Sequence, residues 1–477
     1  MKKREIIEKY IDFIIAEQRS GSTLEDIASY FKKELSIDIS PKYISNILKN
    51  YKKKRKRVVV QDNSKIDLAH KNRKSKNIIN IYRNNKKIGT LARTEGMFIF
   101  AYEDGVSEEE RFIKPGIHYS FPAELENLLP EGINRELLAK KHNINPEDSF
   151  ELLQYIDDAY GGYSTQPIMK KVYKKFDFNP KRYEDTIIFS KDITIDPDVL
   201  VAIRDLYLKG SSDIVNKLSN LSGQQPKFVA TFFENRLYLP NQMEYSNAIV
   251  KVSNKQYANL NIVENMLLSL ARFELHIKTA KTFVLIEKES VNAPSFAKET
   301  YDHFIAERFD RDAQGPKQTY ELLALLGKTS DQKYSVSLEE IFTKAKEITD
   351  EESTKELAKY FYFSYIAGNG DAHAKNISFY KKDGKFKIAP LYDVVNTSIY
   401  GIEGNLGVTL NKKENIQHSE LCEFLSEYID EKELLRIRNI FFKKIYNYIE
   451  KTIVLTEHMQ ATLKKFYEEM EKRINAL

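Results

Sequence analysis

The stretch from Ile366 to Val395, IAGNGDAHAKNISFYKKDGKFKIAPLYDVV, constrains the fold more than any other part of the chain. It places Asp371 and Asn376 five residues apart in a loop of small residues, directly after an aromatic helix pattern. Asp383-Gly384 then signals a hairpin, which would return Asp393 to the side of Asn376. Taken singly, Asp371 reads as a loop cap, Asn376 as a turn residue and Asp393 as a helix N-cap. In this order, joined by a hairpin, the three suit phosphoryl transfer by the kinase route. One Asp accepts the proton of the acceptor hydroxyl, while the Asn and the second Asp hold magnesium. Such chemistry is mostly positioning and charge neutralisation, so few side chains suffice. The eight histidines offer His373 no second metal ligand at matching spacing, so we group it with the catalytic loop, which it would order by hydrogen bonding.

Around this stretch the chain is strand-rich first and helical later. Residues 77–165 carry short alternating runs, with Asn84-Asn85 at a hairpin turn. Helical patterns follow, broken at Pro130-Glu131-Gly132, and the last, SFELLQYIDDAYGG, ends at Gly161-Gly162. This unit has no visible catalytic constellation. Residues 166–320 mix strands and helices as a kinase N-lobe-like core. Residues 321–477 are mainly amphipathic helices and hold the catalytic and metal-binding loops. The expected fold class is α+β and bilobal, with a ligand cleft between the lobes.

A kinase also needs a phosphate cover and a lysine. Ser222-Gly223 leads into a strand, where glycine lets backbone amides approach phosphate oxygens, although no Walker loop is formed. Lys251 sits in the apolar strand NAIVKVSN. Its parity with Asn247 allows it to face either the nucleotide or solvent, and Glu264 on the next helix is its candidate partner.

Charge is unevenly spread. Residues 1–76 hold 20 Lys+Arg against 10 Asp+Glu, whereas the rest hold 54 against 59. A basic segment on a mildly acidic body points to nucleic acid. Within it, residues 1–51 read as a winged or otherwise modified helix-turn-helix. Its last helix, opened by Ser40-Pro41, turns Ile44, Ile47 and Leu48 inward and Lys42, Tyr43, Ser45, Asn46 and Lys49 outward as DNA-binding candidates. A three-helix protein-interaction module is the plain alternative. Residues 52–76, opening on the run KKKRKR, read as a basic linker. The single cysteine, Cys422, excludes an intrachain disulfide and a cysteine-based zinc cluster. With no signal-peptide pattern and no membrane-length apolar run, a cytoplasmic protein with no membrane partner is expected.

From about residue 77 onward the chain resembles the HipA-like serine/threonine kinases, the toxin kinases of bacterial persistence modules. FPAELENLLPEGINRELLA resembles the family's N-terminal signature, SGQQPKF its phosphate loop and AERFDR its hinge-side strand. GNGDAHAKN resembles its catalytic loop and APLYDVV its metal-binding segment. The resemblance implies ATP- and Mg-dependent phosphorylation of a protein Ser or Thr. Carried over by position, Asp371 is the base and Asn376 and Asp393 bind metal. Lys251 contacts the ATP phosphates, with Ser222, Gly223, Gln224 and Lys227 in the phosphate-loop stretch, and Glu307, Arg308 and Phe309 lie near adenine. The family's usual autophosphorylated serine is replaced here by Asn220; Ser222 and Ser219 remain as candidates, of which Ser222 is taken as the site, with inhibition as the expected sign. Family targets include aminoacyl-tRNA synthetases and other translation factors. The fused DNA-binding unit implies operator DNA as a partner and a homodimer. Two other functions compete. One is a transcriptional regulator whose kinase-like body only senses nucleotide or a partner. The other is a small-molecule kinase.

Overall fold

The computed structural model describes residues 23–25, 28–29, 32, 39–45, 77–94, 96–156, 159–167, 171–209, 225–241, 243–253, 256–287, 301–382, 384–402, 406–452 and 457–477. The chain forms two compact units. The first comprises residues 1–126, 147–157 and 163–168, and the second 127–146, 158–162 and 169–477.

In the first unit, residues 41–45 are helical, with Ile44 buried and Lys42 and Tyr43 exposed. Asn46, Lys49 and the linker 52–76 lie outside the described residues, as does most of the 1–51 helix-turn-helix stretch. The body is an antiparallel sheet of five strands: β1 (Ile78–Arg83), β2 (Lys86–Thr94), β3 (Met97–Tyr102), β4 (Gly116–His118) and β5 (Tyr163–Ser164), in the order β4-β3-β2-β1-β5. The β1–β2 turn is the expected Asn84-Asn85 pair, with φ of 46° and 69°. Two left-handed residues give the turn whose twist matches the strands. Along β1, Ile79 and Ile81 are buried while Ile78 and Asn80 are exposed. The short helix Ser149–Leu153 stacks Phe150 on Phe98 with centroids 6.0 Å apart. The sequence pattern runs this helix on to Gly162, but it stops at Leu153. The carbonyls of Gln154 and Ile156 instead accept hydrogen bonds from Thr165, which turns the chain back into β5.

The second unit begins with helix α1 (Gly132–His142). Its strands then run β6 (Val172–Tyr173), β7 (Ile187–Phe189), β8 (Thr194–Ile195), β9 (Lys227–Phe233), β10 (Arg236–Tyr238), β11 (Glu244–Tyr245) and β12 (Ala248–Lys251). They continue with β13 (Thr282–Glu287), β14 (Tyr301–Glu307), β15 (Arg311–Asp312), β16 (Gly315–Pro316), β17 (Thr319–Glu321), β18 (Ser378–Lys382) and β19 (Lys385–Ile388). Seven of these form one sheet in the order β7-β13-β14-β12-β9-β10-β8. Helix α2 (Pro197–Lys209) packs near β10, and α3 (Leu260–Phe273) packs along β13 and β14. The helix α3 is buried from Asn261 to Ala271, polar stripe included. Of its four buried polar side chains, Asn261, Glu264 and Asn265 are hydrogen-bonded, while Ser269 Oγ has no partner among the described residues. Asn261 donates to the Asp302 carbonyl at 2.7 Å, Asn265 joins Thr186 and Thr282, and Glu264 meets Lys251.

Helices α4 (Leu338–Ile348), α5 (Glu351–Ala367), α6 (His418–Ser426), α7 (Glu431–Lys451) and α8 (Glu457–Ala476) form the helical part, as their amphipathic patterns predict. One continuous apolar core joins α3, α5, α7 and α8. In α5 a run of buried aromatics, Tyr360 to Phe363 and Tyr365, anchors the helix that delivers the Asp371 loop. Asp350 caps its start by accepting from the Ser353 amide at 2.9 Å. The expected hairpin after Asn376 is formed by β18 and β19, paired antiparallel with Lys382 opposite Lys385. Asp383 itself lies outside the described residues. Among the described residues no helix is long and apolar enough to cross a membrane.

Candidate active site

Helix α5 ends on Gly368 in the left-handed region, φ 73°. A Cβ there would lie 2.5 Å from Asn396 Nδ2 and 2.7 Å from Arg473 Nε, so the position needs glycine for both space and backbone. The loop that follows is held by its surroundings. Gly370 donates its amide to Thr397 Oγ1 at 3.1 Å, and Asn396 Nδ2 donates to the Ala367 carbonyl at 2.8 Å. Asn376 Nδ2 donates to the Asp371 carbonyl at 3.0 Å, which folds the loop so that both residues face one cavity. That bond leaves the amide oxygen of Asn376 as the atom for a cation.

His373 is buried. Its Nε2 lies 3.5 Å from Asp371 Oδ1, and burial holds its pKa below the ordinary histidine value. A neutral imidazole wedged behind Asp371 suits an ordering role. Tyr334, which the sequence pattern did not single out, donates its hydroxyl to Asp371 Oδ1 at 2.6 Å. Its ring meets His373 edge-on at 5.1 Å.

The opposite wall comes from the sheet. Lys251, at the end of β12, points inward and is buried, which resolves the parity left open by the sequence. Its Nζ donates to both Glu264 oxygens, at 2.7 and 2.8 Å, and also contacts Asp393. Burial works against its charge, but Asp393 and Glu264 outweigh that and hold the pKa well above the ordinary lysine value. Asp393 has φ 59°, a left-handed position tolerated by Asp, and its carboxylate turns into the open cavity. Burial alone would raise its pKa. The Lys251 and Lys227 ammoniums outweigh burial and keep it well below the usual carboxylate range. Lys227 pairs with Lys251 across β9 and β12, and burial lowers its pKa, with the Lys251 charge adding to the effect.

The cavity measures about 520 Å³ and lies wholly within the second unit. Val229, Ile249, Leu268, Phe304 and Ala306 make an apolar floor, and Glu307, Arg308 and Phe309 line the same cavity. The Arg308 guanidinium forks onto Asp310 at 3.1 and 2.8 Å and reaches Ser246 at 3.0 Å, so it braces the strand end. Glu131, Lys333 and Lys375 also line the cavity. Of the predicted site residues, Asp371, His373, Asn376, Asp393, Lys227, Lys251, Glu307, Arg308 and Phe309 all line this one cavity. Ser222, Gly223 and Gln224 lie outside the described residues. Among the described residues no group of three His, Cys, Asp or Glu side chains would hold a metal alone.

Residues 219–473 match the HipA-like C-terminal domain, more than half of the chain, and residues 79–162 match the HipA N-terminal domain. The chain belongs to the HipA-like family. Among HipA-like relatives, the protein named "Putative kinase Y4dM" of Sinorhizobium fredii is 25% identical over 353 residues, covering 68% of this chain and 78% of its own. A Haemophilus influenzae protein named "Putative kinase" is 29% identical over 192 residues, covering 38% of this chain and 53% of its own. The HipA of a Shewanella oneidensis toxin–antitoxin complex, solved with HipB and operator DNA, shares the fold. It has a TM-score of 0.62 and 19% identity, covering 83% of this chain and 96% of that one. Family and relatives together give a HipA-type kinase as the general assignment.

Proposed function

We propose that this chain is an ATP- and Mg-dependent serine/threonine protein kinase of the HipA toxin type. The observation that carries the reading is the convergence of Lys251, Glu264, Asp393, Asp371 and Asn376 in and around one cavity. In it, Asp371 accepts the proton of the acceptor hydroxyl as the new oxygen–phosphorus bond forms and the β–γ bridging bond of ATP breaks. Lys251, pre-oriented by Glu264, meets the nucleotide phosphates, and Lys227 adds a second positive charge on the same wall. The apolar floor beside Glu307 and Phe309 receives adenine. Two oxygen donors, the Asn376 amide and the Asp393 carboxylate, suit a hard cation bound jointly with phosphates. Magnesium held there would supply neutralisation of charge on those phosphates.

The finer parts of the reading rest on the sequence. Ser222 is the proposed autophosphorylation site. The basic residues 1–76, with Lys42, Tyr43, Ser45, Asn46 and Lys49, are proposed to bind operator DNA as a homodimer. The Shewanella oneidensis complex with operator DNA supports that class of partner. The acceptor is proposed to be a protein of the translation machinery, such as an aminoacyl-tRNA synthetase. Incubation with MgATP and a cell lysate, with phosphosites mapped by mass spectrometry, tests the reading. Wild type should phosphorylate Ser or Thr, and an Asp371→Asn variant should not.

A further inference from the structure

The Pro130-Glu131-Gly132 break, which looks like a mere helix interruption, delivers a carboxylate to the cavity. Gly132 has φ 52°, a left-handed start to α1 that favours glycine. Glu131 stands at the N-cap position of α1, yet its side chain does not cap the helix. A side chain that leaves a local helix-capping role open has been turned to another use. Here that use is Lys375.

Lys375 belongs to the catalytic loop, next to Asn376 and four residues after Asp371. Its side chain is 3% exposed. The ammonium contacts Glu131 Oε1, lies 2.8 Å from Ser330 Oγ and has Glu321 Oε2 at 3.7 Å. Glu131 is also 3.6 Å from Lys333, the neighbour of Tyr334 that hydrogen-bonds the base. The Lys375 carbonyl accepts from Tyr392 Oη at 3.3 Å, and Tyr392 directly precedes Asp393. Lys375 therefore ties the Asp371–Asn376 loop to the Asp393 segment through its carbonyl and to Glu131 through its buried ammonium.

We infer that Glu131 is a positioning residue for phosphoryl transfer, clamping the catalytic loop through Lys375. Glu131 falls in the region matched by the HipA N-terminal domain, whereas Lys375 falls in that matched by the HipA-like C-terminal domain. The catalytic loop of the second domain is then set by a residue of the first, and residues 219–473 alone keep only the longer 3.7 Å carboxylate contact of Lys375 with Glu321. A buried ion pair of this geometry is strongly sensitive to loss of one partner, because the other charge is left uncompensated. The inference rests on the kinase reading of the cavity, but its test is independent of that reading.

The test compares full-length wild type, Glu131→Gln, Glu131→Asp, Lys375→Met and the Glu131→Gln/Lys375→Met double variant. Hydrogen exchange is followed at residues 368–378, where the Asn376 amide donates to the His373 carbonyl at 3.0 Å. Exchange in α7 is the control for global unfolding, and turnover of MgATP is followed as ADP release. In Glu131→Gln, loop exchange should quicken at least tenfold with α7 unchanged. Turnover should fall about tenfold or more, with KM for ATP within about threefold. Glu131→Asp should recover part of both effects. The double variant should be no worse than the poorer single variant, since both remove one interaction. Unchanged loop exchange in Glu131→Gln overturns the clamp. Equal acceleration in α7 for both Glu131→Gln and Glu131→Asp makes the role generally structural and also overturns it, as does a loosened loop with unaltered turnover. If wild type itself turns over no ATP, the kinase reading fails, while loop exchange still decides whether the clamp exists.

Discussion

Lys251 and Asp393 are 142 residues apart in sequence, yet the lysine ammonium of β12 contacts the carboxylate of the segment after β19. Glu264 accepts from the same ammonium at 2.7 Å, so one cation sits between a buried carboxylate and one that faces the cavity. This arrangement joins the strand-built wall of the cavity to the loop-built wall.

Replacing Lys251 by Met leaves the buried Glu264 carboxylate without its cation and beside Asp393. Breaking a buried charge cluster in this way costs about 3–5 kcal/mol. Burial and the Asp393 charge already push the Glu264 carboxyl up, to about 7, despite the opposing pull of Lys251. Without Lys251 its folded-state pKa rises further above the unfolded value. The folded form then binds protons more tightly, so the stability deficit grows as pH rises through neutrality. Thermal melts should show a smaller loss for Lys251→Met at pH 5.5 than at pH 8, and ATP affinity should fall at least tenfold. A pH-independent deficit would contradict this account.

Tyr334→Phe removes the 2.6 Å hydrogen bond to Asp371 Oδ1 while keeping the ring against His373. A hydrogen bond to a charged group is worth about 1.5–3 kcal/mol. If it orients the base, turnover should drop about tenfold with KM for ATP unchanged. Faster turnover would mean instead that the tyrosine obstructs the acceptor.

Gly368→Ala should lower both stability and turnover. The new Cβ meets Asn396 Nδ2 at 2.5 Å, and the backbone sits at φ 73°. Strain of this kind costs about 1–3 kcal/mol. Asn396 and Thr397 hold the catalytic loop, so the disturbance should reach Asp371. A melt and a turnover rate equal to wild type would contradict the role given to this turn.

Asp302 is buried, accepts from Ser253 Oγ at 2.9 Å through Oδ1, and has no partner on Oδ2 among the described residues. Burial pushes its pKa up to about 6 from 3.8. The folded state thus favours the protonated acid. The resulting penalty is absent below about pH 4, grows as pH rises and is complete above about pH 6, where it amounts to about 3 kcal/mol. Asp302→Asn should therefore raise the melting temperature at pH 8 by several degrees and change it little at pH 4.5. Equal shifts at both pH values would contradict that assignment.

Much of the site was legible because its signals are local. The Asp371–Asn376 spacing, the hairpin after it and the return to Asp393 all lie within one short stretch, and each depends on turn chemistry. The terminal helices were legible from their amphipathic patterns. The inward orientation of Lys251 was not, because alternation fixes only which residues share a face. The packing of α3 against β13 and β14 buries the Lys251–Glu264 pair. Glu131 was missed because its partner Lys375 is 244 residues away and no local pattern links them. The helix after Ser149 was read too long because its apolar spacing continues, while the competing hydrogen bonds come from Thr165.

The most direct test of the central claim is γ-phosphate transfer from labelled MgATP by the full-length protein, beside Asp371→Asn. This account predicts label on Ser or Thr with wild type and a loss of at least a hundredfold with the variant, at unchanged ATP affinity. Transfer that survives in Asp371→Asn, or wild type that binds ATP and transfers nothing to any protein, would contradict it.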